Sequence, residues 1–200
     1  MAQDKLKIVI VDDEPIIRMD LQAMIEKAGY ICAGQCGDGF DAISLCRDLK
    51  PDVAILDIRM NNLDGLSTAR IINDECPETA IIMLTAYSKG EYIEKAKECN
   101  INSYLVKPIN EKLLIPNIEL AVARKKEVLK YEREISKTKE MLEGRKVIDR
   151  AKGILMKKRD MNENEAYNYI REISKKNNIA MAKVAAIIID KYRMSSVDEY

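Results

Sequence analysis

The sequence predicts an α/β protein: a doubly wound, five-stranded parallel sheet followed by a coiled-coil helix and a small three-helix bundle. Two observations predict this order. Five short apolar runs alternate with amphipathic segments between about residues 6 and 115, and a long helical tract with a seven-residue repeat follows them. The amphipathic segments after residue 144 supply the bundle.

The apolar runs are predicted strands. They are short and mostly β-branched or aliphatic, as expected for strands buried on both faces of a parallel sheet. The amphipathic segments between them predict helices, the first ended by Gly29 and the second before Pro51. The runs are Lys7–Val11, Tyr30–Gln35, Val53–Leu56, Ile81–Leu84 and Ser103–Val106.

A glycine-free helical tract is predicted from Glu111 to Leu142. Pro116 should kink it or delay its start. The repeat is typical of a coiled-coil seam, and it leaves two interpretations open: a dimer seam, or a solvated connector packed within its own chain. The apolar positions seven residues apart are Leu114, Ala121, Val128, Ile135 and Leu142.

Residues 144–192 predict three helices. The first is Arg145–Arg159, and Asn162 with Glu165 forms a capping-box signal for the second. Asn177-Asn178 should end that helix, and Met181–Tyr192 is the third. The predicted domains are therefore residues 1–120, a coiled-coil linker at 121–143, and a bundle at 144–200.

Composition excludes several classes of function. The chain has no histidine, which excludes histidine-based catalysis, histidine metal sites and a role as a histidine kinase. Its five cysteines form no CxxC pair, so we expect buried thiols in a reduced cytoplasm. No apolar run is long enough for a membrane span and no signal peptide is expected.

The neutral total charge hides an asymmetry. Residues 1–120 carry a net formal charge of −7, and residues 121–200 carry +7. Such a split indicates two units with different partners, the second of which could meet a polyanion.

Polar side chains follow the predicted strands at one edge of the sheet. Asp12 and Asp13 follow the first strand, Asp57 the third, Thr85 ends the fourth and Lys107 follows the fifth. Three carboxylates at one edge favour a hard cation such as Mg²⁺. With a hydroxyl and an ammonium beside them they predict a site that holds a phosphoryl group on a carboxylate, with Asp57 as the nucleophile. The chain lacks a glycine-rich phosphate loop, so ATP is not the expected donor.

The segments "IVIVDDEP", "DVAILDIRMNNLDG", "IIMLTAY" and "SYLVKP" resemble the receiver domain of two-component response regulators, over about residues 5–120. The resemblance implies a flavodoxin-like fold, a partner sensor histidine kinase and Asp57 as the phosphoacceptor. It also implies that Asp13, Asp57 and the carbonyl of Arg59 hold Mg²⁺, with Asp12 acting through water.

The same resemblance implies a switch. Thr85 and Lys107 would contact the phosphoryl group, and Tyr104 would be the aromatic side chain that rotates. Asn61 departs from the family pattern, which commonly has proline there, and this difference concerns the loop beside the site.

A basic face is predicted on the helix Arg145–Arg159. Lys146, Arg150 and Lys157 lie opposite its apolar stripe, and Gly153 lies on the same face, where close approach of a ligand would offset the cost of a glycine within a helix. Solvated charge and nucleic-acid binding both remain open for this face.

The segment "RKVIDRAKGILMKKRDMNENEAYNYIREISKKNNIAMAKVAAIII" is similar to the ANTAR domain, the RNA-binding module of antitermination regulators, over about residues 138–192. The similarity implies that a homodimer holds tandem hairpins of leader RNA and prevents termination. Within the family the layout resembles regulators of ethanolamine-utilisation genes. The implied RNA-binding positions are Ala151, Lys152, Gly153 and Arg171, with Arg150 as an addition. A DNA-binding regulator and a protein-interaction adaptor are the alternatives.

Overall fold

A computed structural model describes residues 5–86 and 101–194 of the chain. The chain divides into two compact units, Met1–Lys130 and Tyr131–Tyr200. Within the described residues, no helix is both long enough and apolar enough to cross a bilayer.

The first unit contains a five-stranded parallel sheet, which confirms the predicted fold class. The strand order β2-β1-β3-β4-β5 changes direction between β1 and β3, and this opens a crevice at the carboxyl edge of the sheet. The strands are β1 (Lys7–Val11), β2 (Ile31–Cys36), β3 (Val53–Asp57), β4 (Ala80–Thr85) and β5 (Ser103–Val106).

Three helices connect the first four strands: α1 (Pro15–Lys27), α2 (Gly39–Leu49) and α3 (Gly65–Glu75). Asp38 and Asp64 begin α2 and α3 by accepting hydrogen bonds from backbone N–H groups of those helices. The helix that we predict between β4 and β5 lies mostly outside the described residues.

The next helix, α4 (Glu111–Arg159), is a single continuous element. One prediction about it was wrong, because the helix does not break between Leu142 and Arg145. Of the two effects predicted for Pro116, a delayed start is excluded, since the helix begins at Glu111, and a kink stays a prediction. Proline has no N–H to donate to the carbonyl of Lys112, so one intrahelical hydrogen bond is absent in the second turn of α4.

Each face of the sheet is covered by helices. On one face α1 and the beginning of α4 cover the apolar side chains of the strands, and on the other α2 and α3 do so. The side chains of α4 in the first core are Leu114, Ile118, Ala121 and Val122.

This packing corrects part of the predicted coiled-coil seam. Leu114 and Ala121 are fully buried in the core of the first unit, so they pack against the sheet and cannot pair with a second helix. Later members of the same repeat are exposed: Val128, Ile135 and Leu142 retain 49%, 55% and 55% of their accessible surface.

The second unit is a helical bundle made from the end of α4, α5 (Glu163–Asn177) and α6 (Met181–Met194). The predicted capping box is present at Asn162 and Glu165, and α5 ends at Asn178, which has a left-handed φ of 52°. A side chain at Gly144 would come within 3.4 Å of Ala182 of α6, an ordinary van der Waals contact, so these two helices lie side by side here. The fully or largely buried core is Ala151, Leu155, Ala166, Ile170, Val184, Ala185 and Ile188.

Candidate functional site

The carboxyl edge of the sheet gathers the polar residues that the sequence singled out. Asp57 is the last residue of β3, Thr85 ends β4, and Asp12 and Asp13 directly follow β1. Gly65 begins α3 beside this edge, and a side chain there would overlap the carbonyl of Asp57. The β3–α3 loop can therefore close tightly over the end of β3 only with glycine at this position.

Lys107 lies at the centre of the cluster. Its Nζ donates to Asp12 Oδ2 at 2.7 Å, lies 3.1 Å from Asp57 Oδ1, and lies 3.8 Å from Glu14 Oε1. The peptide bond between Lys107 and Pro108 is cis. Asp12 is fully buried and Asp57 almost so, so the ammonium group neutralises charge that is largely shielded from water.

The acidic residues form a set of oxygen donors that fits a hard divalent cation. One carboxylate oxygen from each of Asp12, Asp13 and Asp57 lies within 4.8 Å of the others, with Asp13 exposed to solvent. Oxygen-only ligands on an open edge are the environment that Mg²⁺ prefers, because it retains several of its waters. The pocket beside them has a volume of about 360 Å³ and is lined also by Thr85 and Arg59.

Burial and hydrogen bonding shift the pKa values of Asp57 and Lys107 in opposite directions. Burial raises the pKa of Asp57, and the hydrogen bonds from Lys107 and from the Arg59 backbone N–H offset this effect only in part. Burial alone would lower the pKa of Lys107, but its bonds to Asp12 and Asp57 raise the pKa overall. Lys107 therefore remains a cation, and a bound divalent ion would favour the ionised form of Asp57.

Thr85 and Tyr104 lie on adjacent strands. Thr85 is buried at the end of β4, and Tyr104 of β5 is half-buried against the core that contains Met83. Tyr104 pairs with Met83 in the register of the two strands, two residues before Thr85. The predicted switch residues thus share one side of the sheet, and the predicted rotation of Tyr104 stays a prediction.

In the second unit, several of the predicted RNA-binding residues are exposed. Lys146, Arg150, Lys157 and Arg171 are all open to solvent. Among the described residues, no atom lies within 4 Å of the position that a side chain at Gly153 would take, so the backbone there faces open space. These positions can receive a ligand.

Comparisons with known proteins assign both units. A model of the response regulator receiver domain matches residues 8–119, more than half of the chain. The chain belongs to the response regulator family. A model of the ANTAR domain matches residues 136–189 of the same response regulator.

One relative matches over both units, and a second matches about half of the chain. The response regulator is similar to the transcriptional regulatory protein PdtaR of Mycobacterium tuberculosis, at 38% identity over 92% of this chain and 89% of PdtaR. It is also similar to the transcriptional regulatory protein BtsR of Salmonella typhimurium, at 38% identity over 54% of this chain and 45% of BtsR. These relatives are regulatory proteins, and this chain is regulatory and not an enzyme.

Among solved structures, the response regulator resembles the signal receiver domain of a modulated diguanylate cyclase from Desulfovibrio desulfuricans. The TM-score is 0.58 at 33% identity, and the match covers 62% of this chain and 98% of that one. The likeness is to the receiver unit.

Two of the RNA-binding positions implied for the ANTAR unit need correction. Ala151 is fully buried in the bundle core, so its side chain does not belong to an exposed surface. Lys152 is only 15% exposed, because its Nζ is bonded to Asp149 and to Glu163, each at 2.8 Å. Lys152 therefore joins α4 to the start of α5.

Two features of this response regulator were not expected from its sequence. Glu14 lines the acidic pocket beside Lys107, and its place directly after the aspartate pair was the available signal. Arg159 closes the bundle: it donates to Tyr192 Oη at 2.8 Å and lies 4.9 Å from the ring centre of Tyr169. These tyrosines are too far from Arg159 in sequence for spacing to reveal the contact.

Proposed function

We propose that this response regulator is activated by phosphorylation of Asp57 and that its ANTAR unit then binds hairpins in leader RNA and prevents transcription termination. The observation that carries the proposal is the presence, in one chain, of a buried aspartate bonded to Lys107 within an acidic cluster and of a bundle that matches an RNA-binding module.

The pocket supports phosphoryl transfer from a histidine kinase. An oxygen of Asp57 attacks phosphorus, a P–O bond forms, and the P–N bond to the donor imidazole breaks with its electron pair passing to that nitrogen. Lys107 stabilises the charge on the transferred group. Mg²⁺, held by Asp13, Asp57 and the Arg59 carbonyl, with Asp12 acting through water, would supply further positive charge to the phosphoryl oxygens.

The charge added by the phosphoryl group supports a switch. It brings up to about two negative charges beside Lys107 and Thr85. Thr85 moves to donate to the phosphoryl group, and Tyr104 turns into the space it leaves. The surface formed by β4 and β5 then packs differently against a partner.

Dimerisation links this change to RNA. Exposed Val128, Ile135 and Leu142 lie on one face of α4 at seven-residue spacing, which favours pairing with the same helix of a second copy. Two ANTAR units in one dimer bind tandem hairpins with greater avidity, because the second contact becomes intramolecular.

Labelling with a radioactive small phosphodonor tests the phosphoacceptor. We expect Asp57→Ala to abolish incorporation in the presence of Mg²⁺, whereas Asp20→Ala, which removes an exposed carboxylate on α1, should leave it unchanged. Stoichiometric labelling of the Asp57→Ala chain would refute the assignment.

Gel-shift assays test which kind of nucleic acid the chain binds. We expect the phosphorylated chain to bind two-hairpin RNA more tightly than the duplex DNA of the same sequence at matched salt. Equal affinities would favour a DNA-binding regulator. Failure to bind either nucleic acid at low salt, where phosphate contacts are strongest, would favour a protein-interaction adaptor.

A further inference from the structure

A groove of about 680 Å³ opens on the second unit, where α4 passes the beginnings of α5 and α6. Gly144 forms part of its floor, against Ala182. We infer that this groove binds one unpaired nucleobase of an RNA hairpin loop. The inference rests on the proposed function and identifies where, within that function, a base is recognised.

The groove presents apolar and aromatic surface to solvent. Tyr167 is 43% exposed and Met141 is 74% exposed, and half-buried Ile148 and Met181 lie with them along the groove. Tyr167 and Met141 are not members of the bundle core, so the core does not account for their position. An accessible tyrosine with aliphatic neighbours is a stacking platform for an unpaired base.

The polar side chains of the groove favour a nucleotide over an apolar peptide. Glu140 and Asp149 can accept hydrogen bonds from the amino and imino groups of a base. Lys137 and Arg145 lie in the same lining and are exposed, so they can contact the phosphates on either side of a bound base, whereas Lys152 is engaged by Asp149 and Glu163.

Lys152 links α4 to α5 beside the groove. Its ammonium bridges Asp149 on α4 and Glu163 at the start of α5, each at 2.8 Å. Because α5 carries Tyr167 one turn further on, the bridge fixes the stacking ring relative to α4. The groove is therefore formed before any ligand binds, which lowers the entropic cost of binding.

Two faces of α4 then have different roles. The groove side chains recur every three or four residues, at Lys137, Met141, Arg145, Ile148 and Lys152, and so share one face. Lys157 lies on the opposite face, with Lys146 and Arg150. We expect the groove to respond to the identity of a base and the opposite face to respond to phosphate alone.

A double-mutant cycle with RNA tests this inference. The probe is the tightest-binding member of a pool of RNA hairpins with one fixed stem and randomised loops, in which each loop nucleotide is replaced in turn by an abasic one. We expect Tyr167→Ala to weaken binding of the intact hairpin about tenfold and to have no further effect on one particular abasic hairpin.

Lys157→Ala provides the matched comparison, because it should weaken intact and abasic hairpins by the same factor. Tyr167→Phe retains the ring and should bind like the original chain. If the chain binds hairpins but Tyr167→Ala has no effect, or weakens all abasic hairpins equally, the groove does not bind a base. Absence of any RNA binding at low salt would instead refute the proposed function.

A second copy of the chain is the alternative occupant of the groove. Sedimentation of the Tyr167→Ala variant distinguishes binding of a nucleobase from binding of a second copy. We expect the oligomeric state of this variant to equal that of the original chain. If the variant fails to form the dimer of the original chain, and its RNA affinity recovers at protein concentrations that restore the dimer, then the groove is a protein interface and the inference is wrong.

Discussion

Replacing Lys107 with methionine tests the electrostatic description of the acidic pocket. The substitution keeps most of the apolar side-chain volume and removes the ammonium that lies 2.7 Å from Asp12 and 3.1 Å from Asp57. Both carboxylates are almost inaccessible to water, so the variant contains buried negative charge without its cation.

Protonation of a carboxylate limits the unfolding free energy that Lys107→Met can remove. A buried carboxylate can escape by binding a proton, and from the ordinary aspartate pKa of 3.8 this requires about 4 kcal/mol at pH 7 and about 1.5 kcal/mol at pH 5. Breaking a buried pair costs about 3–5 kcal/mol, and Lys107 retains some exposure. We therefore expect the first unit to lose about 3 kcal/mol of unfolding free energy at pH 7.

The sign of the pH dependence follows. In the variant the pKa of the acidic pair is raised in the folded state above its unfolded value, so folding is penalised more as pH rises. The deficit relative to the original chain should shrink to about 1–1.5 kcal/mol at pH 5. Mg²⁺ should stabilise the variant more than the original chain, because the ion supplies the missing positive charge.

Hydrogen exchange of the buried β1 and β3 amides measures this free energy without interference from the second unit. Lys27→Met is the matched substitution: it removes an ion pair of 2.6 Å to Glu111 between exposed side chains and should cost no more than about 1 kcal/mol at either pH. If Lys107→Met costs as little as Lys27→Met, or its cost does not change between pH 5 and 7, the reasoning fails.

Two further predictions concern other parts of the chain. Asn162→Ala removes the capping box of α5 and should lower the unfolding free energy of the ANTAR unit, measured in urea titrations, by about 1 kcal/mol. Asn164→Ala changes an exposed residue of the same turn that is not part of the capping box, and it should cost less. Equal costs would exclude the cap as a source of stability. Burial raises the pKa of Cys46 to about 12 and that of Cys36 to about 11. Peptide mapping should therefore find that both thiols are alkylated far more slowly in the native chain at pH 8 than in urea. Similar alkylation rates would contradict their burial.

The first unit was predictable because its signals are local. β1 and β5 have the predicted bounds, since each is a short apolar run ended by a polar or charged residue. The acidic site was predictable for a different reason: the carboxyl ends of parallel strands meet at one edge, so Asp12, Asp57 and Lys107 converge although they are far apart in sequence.

The errors occurred where a residue's role depends on a distant partner. The glycine-free tract was predicted to end before Gly144, but α4 continues through this residue, which lies beside Ala182 of α6. Leu114 and Ala121 continue a heptad pattern, yet the same face of the helix packs on the sheet. Lys152 looks like a free cation until α5 brings Glu163 to 2.8 Å.

The measurement that tests the account most directly is the affinity of the full chain for two-hairpin RNA with and without phosphorylation, at one salt concentration and with Mg²⁺ present throughout. We expect the small phosphodonor to tighten binding of the original chain and to have no effect on Asp57→Ala. Equal affinities of the original chain before and after verified phosphorylation would show that the aspartate site does not control RNA binding.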